Sequence, residues 1–287
     1  MIPLYWWHGH SNLGDELSPY LVEKITKVKV RYISQREYSS VKLVAIGSLL
    51  SDDLLHHSFT VWGTGTLTKG SFGHRNIPCK SVKWFPLNKK LKSLFFHYKQ
   101  PDIRAVRGPI TRNLLIKNGY ACPNIFGDPA ILLPDYYQSS YVKKHQIGLI
   151  LHQSHSNISI NLCECNDKDI CLISINRQSF KDIEQFIDEV CSCQRIFSTS
   201  LHGIIVAQAY GIPAQWIRIN NKPIHKDEEM KFEDYFLGAY QESQKPLEFS
   251  ELNSESIKKI ASYQPCDVKN LRGGKNALLN TFPFDIL

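Results

Sequence analysis

One stretch, Arg195 to Gly211 with the sequence RIFSTSLHGIIVAQAYG, narrows the folds open to this chain more than any other. The apolar, β-prone Arg195-Ile196-Phe197 runs into a polar corner, Ser198-Thr199-Ser200. Leu201-His202-Gly203 then opens an apolar segment, Ile204 to Tyr210, of helical composition, with Gly211 to stop it. A strand that turns directly into a helix presents free backbone N–H groups and the positive end of the helix dipole at the corner, where an anion is favoured. His202 lies in the first helical turn, within reach of whatever those groups hold. This corner is expected to form half of an active site.

The rest of the chain repeats the strand-to-helix style. Ile2 to Trp7 reads as a buried first strand, followed by His8 to Asp15 and a helical stretch, Glu16 to Thr26. Gly14 suits a turn conformation closed to other residues, and Asp15 is a good N-cap. Val28 to Ile33, Lys42 to Gly47 and Phe59 to Gly63 read as short strands. The last enters Trp62-Gly63-Thr64-Gly65-Thr66, a small-residue turn whose N–H groups can approach a ligand, although it is neither a P-loop nor GxGxxG. Asp102 to Arg107 is a further strand, and Gly108-Pro109 starts a helix that Gly119 stops. Arg107 therefore stands at a strand's carboxyl end beside a helix amino terminus, suited to a phosphate or carboxylate, or else to a surface salt bridge.

After a polar linker, Asp135 to Gln146, the second half begins with Ile147 to Leu151, a strand ending in His152-Gln153-Ser154-His155. Asp169 to Ile175 reads as a strand, and Ser179 with Asp182 makes a loose capping box for a helix to about Val190. Ala214 to Ile219 is a strand, and Lys231 to Gln241 and Ser254 to Tyr263 are helical. Alternation in both halves predicts two α/β units with parallel sheets. The boundaries are 1–140 for a first Rossmann-like domain and 141–287 for a second with a helical tail, their strand-end loops facing each other across a cleft.

Composition narrows the partners. A net charge of +7 and a pI near 8.9 suit an anionic ligand, substrate or surface. The basic residues are scattered, with no Lys/Arg run and no RNA-binding aromatic signature, so nucleic acid is not expected. The amino terminus lacks a basic region followed by an apolar core, and no window reaches about 18 consecutive apolar residues. A cytoplasmic protein is expected, with a loose hold on the anionic inner face of the membrane as an allowance of its charge. Cys163/Cys165 and Cys191/Cys193 form CxC pairs among eight cysteines, which is not the CxxC spacing of structural zinc. No metal is expected.

Five motifs in order resemble one family, the polysaccharide pyruvyltransferases. They are Asn12-Leu13-Gly14-Asp15-Glu16-Leu17, Arg107-Gly108-Pro109-Ile110-Thr111, Gly127-Asp128-Pro129-Ala130, Ile147 to His152, and Ser200-Leu201-His202-Gly203. The resemblance implies a two-domain fold similar to the GT-B glycosyltransferases. It also implies that phosphoenolpyruvate, as co-substrate and without another cofactor, donates its pyruvyl group to two hydroxyls of a sugar. The product is a cyclic ketal on a capsular, exopolysaccharide or cell-wall glycan, and phosphate leaves. The acceptor is a sugar or a lipid-linked oligosaccharide.

The same resemblance distributes the roles. Arg107, Ser200, Leu201, Gly203, Gly63 and Thr64 fall to the donor, Asn12 and His152 to the acceptor, and His202, Asp15 and Asp128 to catalysis. Donor anions need cations and helix N–H groups, its methylene carbon needs a general acid, and the attacking hydroxyl needs a base. His202 is the first candidate for acid–base work, with Asp15 or Asp128 as base or as the group that orients the acceptor. Family members often carry an arginine where this chain has Ser200. Either the helix terminus and Arg107 suffice, or a loop cation, Lys69, Arg75 or Arg218, substitutes. Two other functions fit such a cleft: a GT-B glycosyltransferase using a nucleotide sugar, and a non-catalytic anion- or glycan-binding protein.

Overall fold

The computed structural model describes residues 1–9, 12–39, 42–57, 59–72, 101–158, 169–224, 227–239, 243–266 and 272–287. His74, Arg75, Cys79, Cys163 and Cys165 lie outside them. Two parallel five-stranded sheets organise the chain. The first contains β1 (Ile2–Tyr5), β2 (Val30–Tyr32), β3 (Leu43–Val44), β4 (Thr60–Trp62) and β5 (Asp102–Ala105), in the order β2-β1-β3-β4-β5. The second contains β6 (His145–Ile150), β7 (Ile170–Ile173), β8 (Cys193–Ser198), β9 (Ala214–Ile219) and β10 (Leu247–Phe249), in the order β10-β9-β8-β6-β7. Numbered from its own first strand, each sheet follows the same 2-1-3-4-5 path. The two Rossmann-like units read from the sequence are present.

The helices are α1 (Leu13–Thr26), α2 (Asp52–Leu55), α3 (Pro109–Lys117), α4 (Phe180–Cys191), α5 (Leu201–Ala209), α6 (Glu228–Gly238), α7 (Ser254–Ser262) and α8 (Arg272–Asn280). A 3-10 segment covers Pro129–Asp135. The capping box of α4 forms in full, with Ser179 and Asp182 exchanging side-chain and backbone hydrogen bonds. Pro109 takes the first turn of α3, where its missing N–H goes unused.

Helix α1 starts earlier than the sequence suggests, and this change matters for the site. Its N-cap is Asn12, whose side chain accepts from the Gly14 N–H at 3.4 Å. Asp15 is therefore a first-turn residue rather than the cap, and its carboxylate can face outward from the helix end.

The halves share one apolar layer. Leu13 and Leu17 of α1, Ala130 to Leu133 of the 3-10 segment, and Leu201, Ile204 and Ile205 of α5 are buried in a single cluster. The Leu13 N–H donates to Ile175 C=O at 3.0 Å, tying the start of α1 to the end of the β7 segment. Two later segments return to the first sheet. Helix α6 packs on α3. In the carboxyl-terminal segment, Phe282 packs edge-on against Trp62 at 4.8 Å, and Trp62 Nε1 donates to Leu278 C=O at 2.9 Å. The stretch 141–287 thus contributes the second sheet and also covers the first.

Each sheet reverses its winding direction once. In the first this happens between β1 and β3, and in the second between β6 and β8. At such a switch point the loops leaving adjacent strands diverge and open a crevice beyond the strand carboxyl ends. The segments after β1, β3, β6 and β8 line one cavity of about 550 Å³.

Candidate active site

Four strand-end segments supply most of the cavity wall, with Gln35, Leu67, Ile224 and Lys231 completing it. Trp7, Asn12 and Asp15 come from the β1–α1 connection, and Gly47, Ser48 and Leu49 follow β3. His152 and Ser154 follow β6, while Ser200, Leu201 and His202 come from the β8–α5 corner. Asn12, Asp15, His152, Ser200, Leu201 and His202, read from the sequence as site residues, are brought together here.

The β8–α5 corner is held open from below. Ser198 Oγ donates to Ser200 C=O and accepts from the Ser200 N–H, both at 2.9 Å. Thr199 Oγ1 accepts from the His152 N–H at 2.7 Å and contacts buried His155 Nδ1 at 3.1 Å. The first helical bond runs from Ile204 N–H to Ser200 C=O, so the amides of residues 201–203 have no helical acceptor. The N-cap side chain does not bond them. Gly203 is buried and serves packing, because a side chain there would collide with Ser198 Oγ.

His202 lies between two carboxylates. Its Nε2 is 3.6 Å from Asp128 Oδ2, and both atoms are buried without a hydrogen-bond partner. Two orphaned buried groups facing each other make a pair that a small closure, or a proton on Nε2, turns into a hydrogen bond. Asp128 is fully buried, and its other oxygen accepts from the Ala130 N–H at 3.0 Å. On the opposite side, His202 Nδ1 faces Gly14, where any side chain would strike the ring. The glycine is thus required for space.

Asp15 completes the group. Burial pushes its carboxyl up to about 6, against the opposing pull of His202, the Asn12 side chain and Lys231. Asn12 Nδ2 donates to Asp15 Oδ2 at 2.9 Å. A carboxyl balanced in this way changes its charge close to neutrality, as acid–base groups do.

Arg107 is found elsewhere. It is buried and well satisfied: Nε donates to Asp234 Oδ2 at 3.1 Å, Nη1 to Ser48 Oγ at 2.6 Å and Nη2 to Thr66 C=O at 2.9 Å. Its guanidinium lies against Gly65, where a side chain would collide with it. It reaches the cavity wall through Ser48 instead of lining it. Thr64 is likewise behind the wall, donating to Gly47 C=O at 2.9 Å, and Gly63 packs on Pro129 with φ +86°.

Of the loop cations, Arg218 pairs with Glu229 and with Glu248 and is not at the cavity. Lys69 is exposed and does not line it either. The cation that lines the cavity, among the described residues, is Lys231 of α6, which no motif marks in the sequence. Among the described residues, no cluster of three or more His, Cys, Asp or Glu side chains could hold a metal. Nor is any helix among them long and apolar enough to cross a membrane.

Residues 81–221 match the family model described as polysaccharide pyruvyl transferase, a span that carries Arg107, Asp128, His152 and the Ser200–His202 corner. Over that span, just under half of the chain, the sequence is similar to the polysaccharide pyruvyl transferase family. Two relatives extend the likeness beyond that span. The succinoglycan biosynthesis protein ExoV of Rhizobium meliloti (strain 1021) is 26% identical over 238 residues, 82% of this chain and 64% of that protein. The uncharacterized protein L143 of Acanthamoeba polyphaga mimivirus is 23% identical over 274 residues, 93% of this chain and 85% of that protein.

Solved structures are more distant. The wall teichoic acid polymerase TagF gives a TM-score of 0.45 at 9% identity, with 98% of this chain and 82% of that chain covered. The UDP-GlcNAc 2-epimerase of Methanocaldococcus jannaschii gives 0.43 at 12% identity, with 96% of each chain covered. The architecture of the chain rests on its own two sheets rather than on these neighbours.

Proposed function

We propose that the protein transfers the pyruvyl group of phosphoenolpyruvate to two hydroxyls of a glycan sugar, forming a cyclic ketal and releasing phosphate. The observation that carries this reading is the juxtaposition at one cavity of an uncapped helix amino terminus, a His202–Asp128 pair and an Asp15 carboxyl balanced near neutrality. Anion holding, proton delivery and proton removal are the three tasks the chemistry sets.

In the proposed sequence protonated His202 gives its proton to the methylene carbon, leaving an oxocarbenium-like centre at C2. The first acceptor hydroxyl adds there, and its proton passes to Asp15. The C–O bond to phosphate then breaks, and the phosphate leaves with the proton held by Asp15. The second hydroxyl closes the ring and returns a proton to His202. Two hydroxyl protons are spent, one becoming part of the new methyl group and one leaving on phosphate. Asp128 keeps the imidazole oriented and steadies its charge.

The acceptor is assigned to the part of the cavity lined by Trp7. Trp7, about half exposed at 52%, lies there with Tyr5 and Gln35, whose Nε2 donates to Tyr5 Oη at 2.8 Å. An aromatic face beside amide and hydroxyl groups suits a pyranose ring, which has an apolar face and a polar rim. The glycan in question is an exopolysaccharide or a related surface polymer, in keeping with the role that the Rhizobium relative is named for.

The test is a thermal melt of the purified protein with phosphoenolpyruvate against a panel of nucleotide sugars. A ligand at about 100 times its dissociation constant adds about 2.7 kcal/mol of stability. A rise in Tm with phosphoenolpyruvate supports the reading. A rise with a nucleotide sugar alone replaces it with a glycosyltransferase.

A further inference from the structure

We infer that Lys231 Nζ and the free amides of residues 201–203 together form the phosphate subsite of the donor, with Lys231 supplying the positive charge that Ser200 lacks. This assignment rests on the pyruvyl-transfer reading for the identity of the donor, and on the geometry alone for the presence of an anion site.

Lys231 is 7% exposed and lines the cavity that Ser200, Leu201 and His202 also line. Among the described residues its ammonium makes no hydrogen bond or ion pair, and Nζ lies 5.6 Å from the centre of the Phe232 ring. A buried ammonium without a counter-ion is expensive to retain in a purely structural role. An anionic ligand arriving between it and the α5 amides would supply the missing partner.

The neighbouring charges are arranged to leave Lys231 available. Arg107, the cation behind the same wall, is neutralised by Asp234 at 3.1 Å, three residues along the same helix as Lys231. Glu228, three residues before Lys231, accepts from the Ile224 N–H at 2.8 Å. Asp15 on α1 lines the same cavity within electrostatic reach of Lys231, and His202 on α5 lines it too. Burial, reinforced by the Arg107 charge and opposed by Glu228 and Asp15, brings the Lys231 ammonium down to about 8. Free Lys231 is therefore charged at neutral pH and loses its proton as the pH rises through about 8. A bound phosphate holds the proton on, so anion affinity must fall over that range.

Lysine can be separated from arginine here because arginine stays protonated throughout. The experiment is calorimetric titration with phosphoenolpyruvate, and separately with inorganic phosphate, from about pH 7 to about pH 9.5. It uses the wild type, Lys231→Met and Lys231→Arg, each checked for folding by circular dichroism. The wild-type affinity for both ligands is expected to fall about tenfold per pH unit above pH 8. Lys231→Met, which keeps the volume, is expected to bind about 30-fold more weakly at neutral pH, with a flat pH profile, as expected for loss of a charge-assisted contact. Lys231→Arg should flatten the profile while retaining affinity.

Equal phosphoenolpyruvate binding by wild type and Lys231→Met overturns the subsite and leaves the function standing. A wild-type profile that stays flat above pH 8 overturns it without recourse to any variant. Phosphate binding that depends on Lys231, with no binding of phosphoenolpyruvate, keeps the subsite and removes the donor assignment. Failure of both ligands to bind the wild type removes both.

Discussion

Two strand-to-helix corners in this protein carry the same sequence signal and do opposite work. At the β5–α3 corner an internal anion fills the site. Asp234 accepts from the Thr111 N–H at 2.9 Å, from Thr111 Oγ1 at 2.7 Å and from Arg107 Nε at 3.1 Å. Gly108 is required because the backbone of Asp234 passes where its side chain would be. At the β8–α5 corner no carboxylate among the described residues bonds the amides, and the cavity opens in front of them. One corner clasps α6 to the first sheet, and the other faces the cavity proposed to hold the ligand. An anion site in a fold is functional only when the protein has not already occupied it.

The comparison can be broken from either side. The largest expected effect is at the open corner. His202→Ala should lower ketal formation by about 10³-fold, the range of a lost general acid, with Tm little changed; phosphate release from phosphoenolpyruvate in the presence of acceptor measures it. At the closed corner Asp234→Ala should cost about 3–5 kcal/mol of folding stability in urea, because Arg107 is left charged and buried without a counter-ion. A drop in activity without a loss of stability there would mean that the Arg107–Asp234 pair serves the ligand directly.

Asp15→Asn should lower turnover by about 10²-fold by removing the base. In the wild type the rate should fall as the pH drops through about 6, where the carboxyl takes up its proton. The stability effect has the opposite sign. A carboxyl whose folded value is raised lets the folded state bind the extra proton, so its burial penalty is present above about pH 6 and is relieved as the pH falls. Asp15→Asn should therefore raise Tm at about pH 8 while removing the acid limb of the rate profile. The smallest effect is expected at the acceptor wall, where Trp7→Ala should raise the acceptor KM several-fold and leave kcat and phosphoenolpyruvate affinity unchanged.

The parts legible in the sequence are those set by local pattern. Strand–helix alternation specifies both parallel sheets, and the β8–α5 corner lies where the polar interruption Ser198-Thr199-Ser200 places it. The cap of α1 is misplaced by the sequence reading, which takes Asp15; Asn12 caps the helix instead, with Leu13 packed into the shared core. Strand β10 leaves no signal because Leu247-Glu248-Phe249 is too short to show a period.

Arg107 and Lys231 are out of reach for a different reason. A strand-end arginine beside Gly-Pro looks the same whether its partner is a substrate or Asp234, some 127 residues away. Lys231 stands just beyond Glu228, Glu229 and Met230 and reads as a solvated helix face until α6 is laid on α3. One signal does exist: Lys231 stands four residues before Tyr235, which is fully buried, so both fall on one helix face. A lysine on the apolar face of a helix needs a counter-ion, and in an anion-binding protein the ligand is a natural source of it.

The central claim is that the donor's phosphate belongs to the open corner. A crystal structure of the protein soaked with phosphoenolpyruvate tests it directly. The account predicts phosphate oxygens within hydrogen-bond distance of the amides of residues 201–203 and of Lys231 Nζ, with the methylene carbon turned toward His202. Phosphoenolpyruvate bound through Arg107, with Asp234 displaced, would contradict it and make the closed corner the active one.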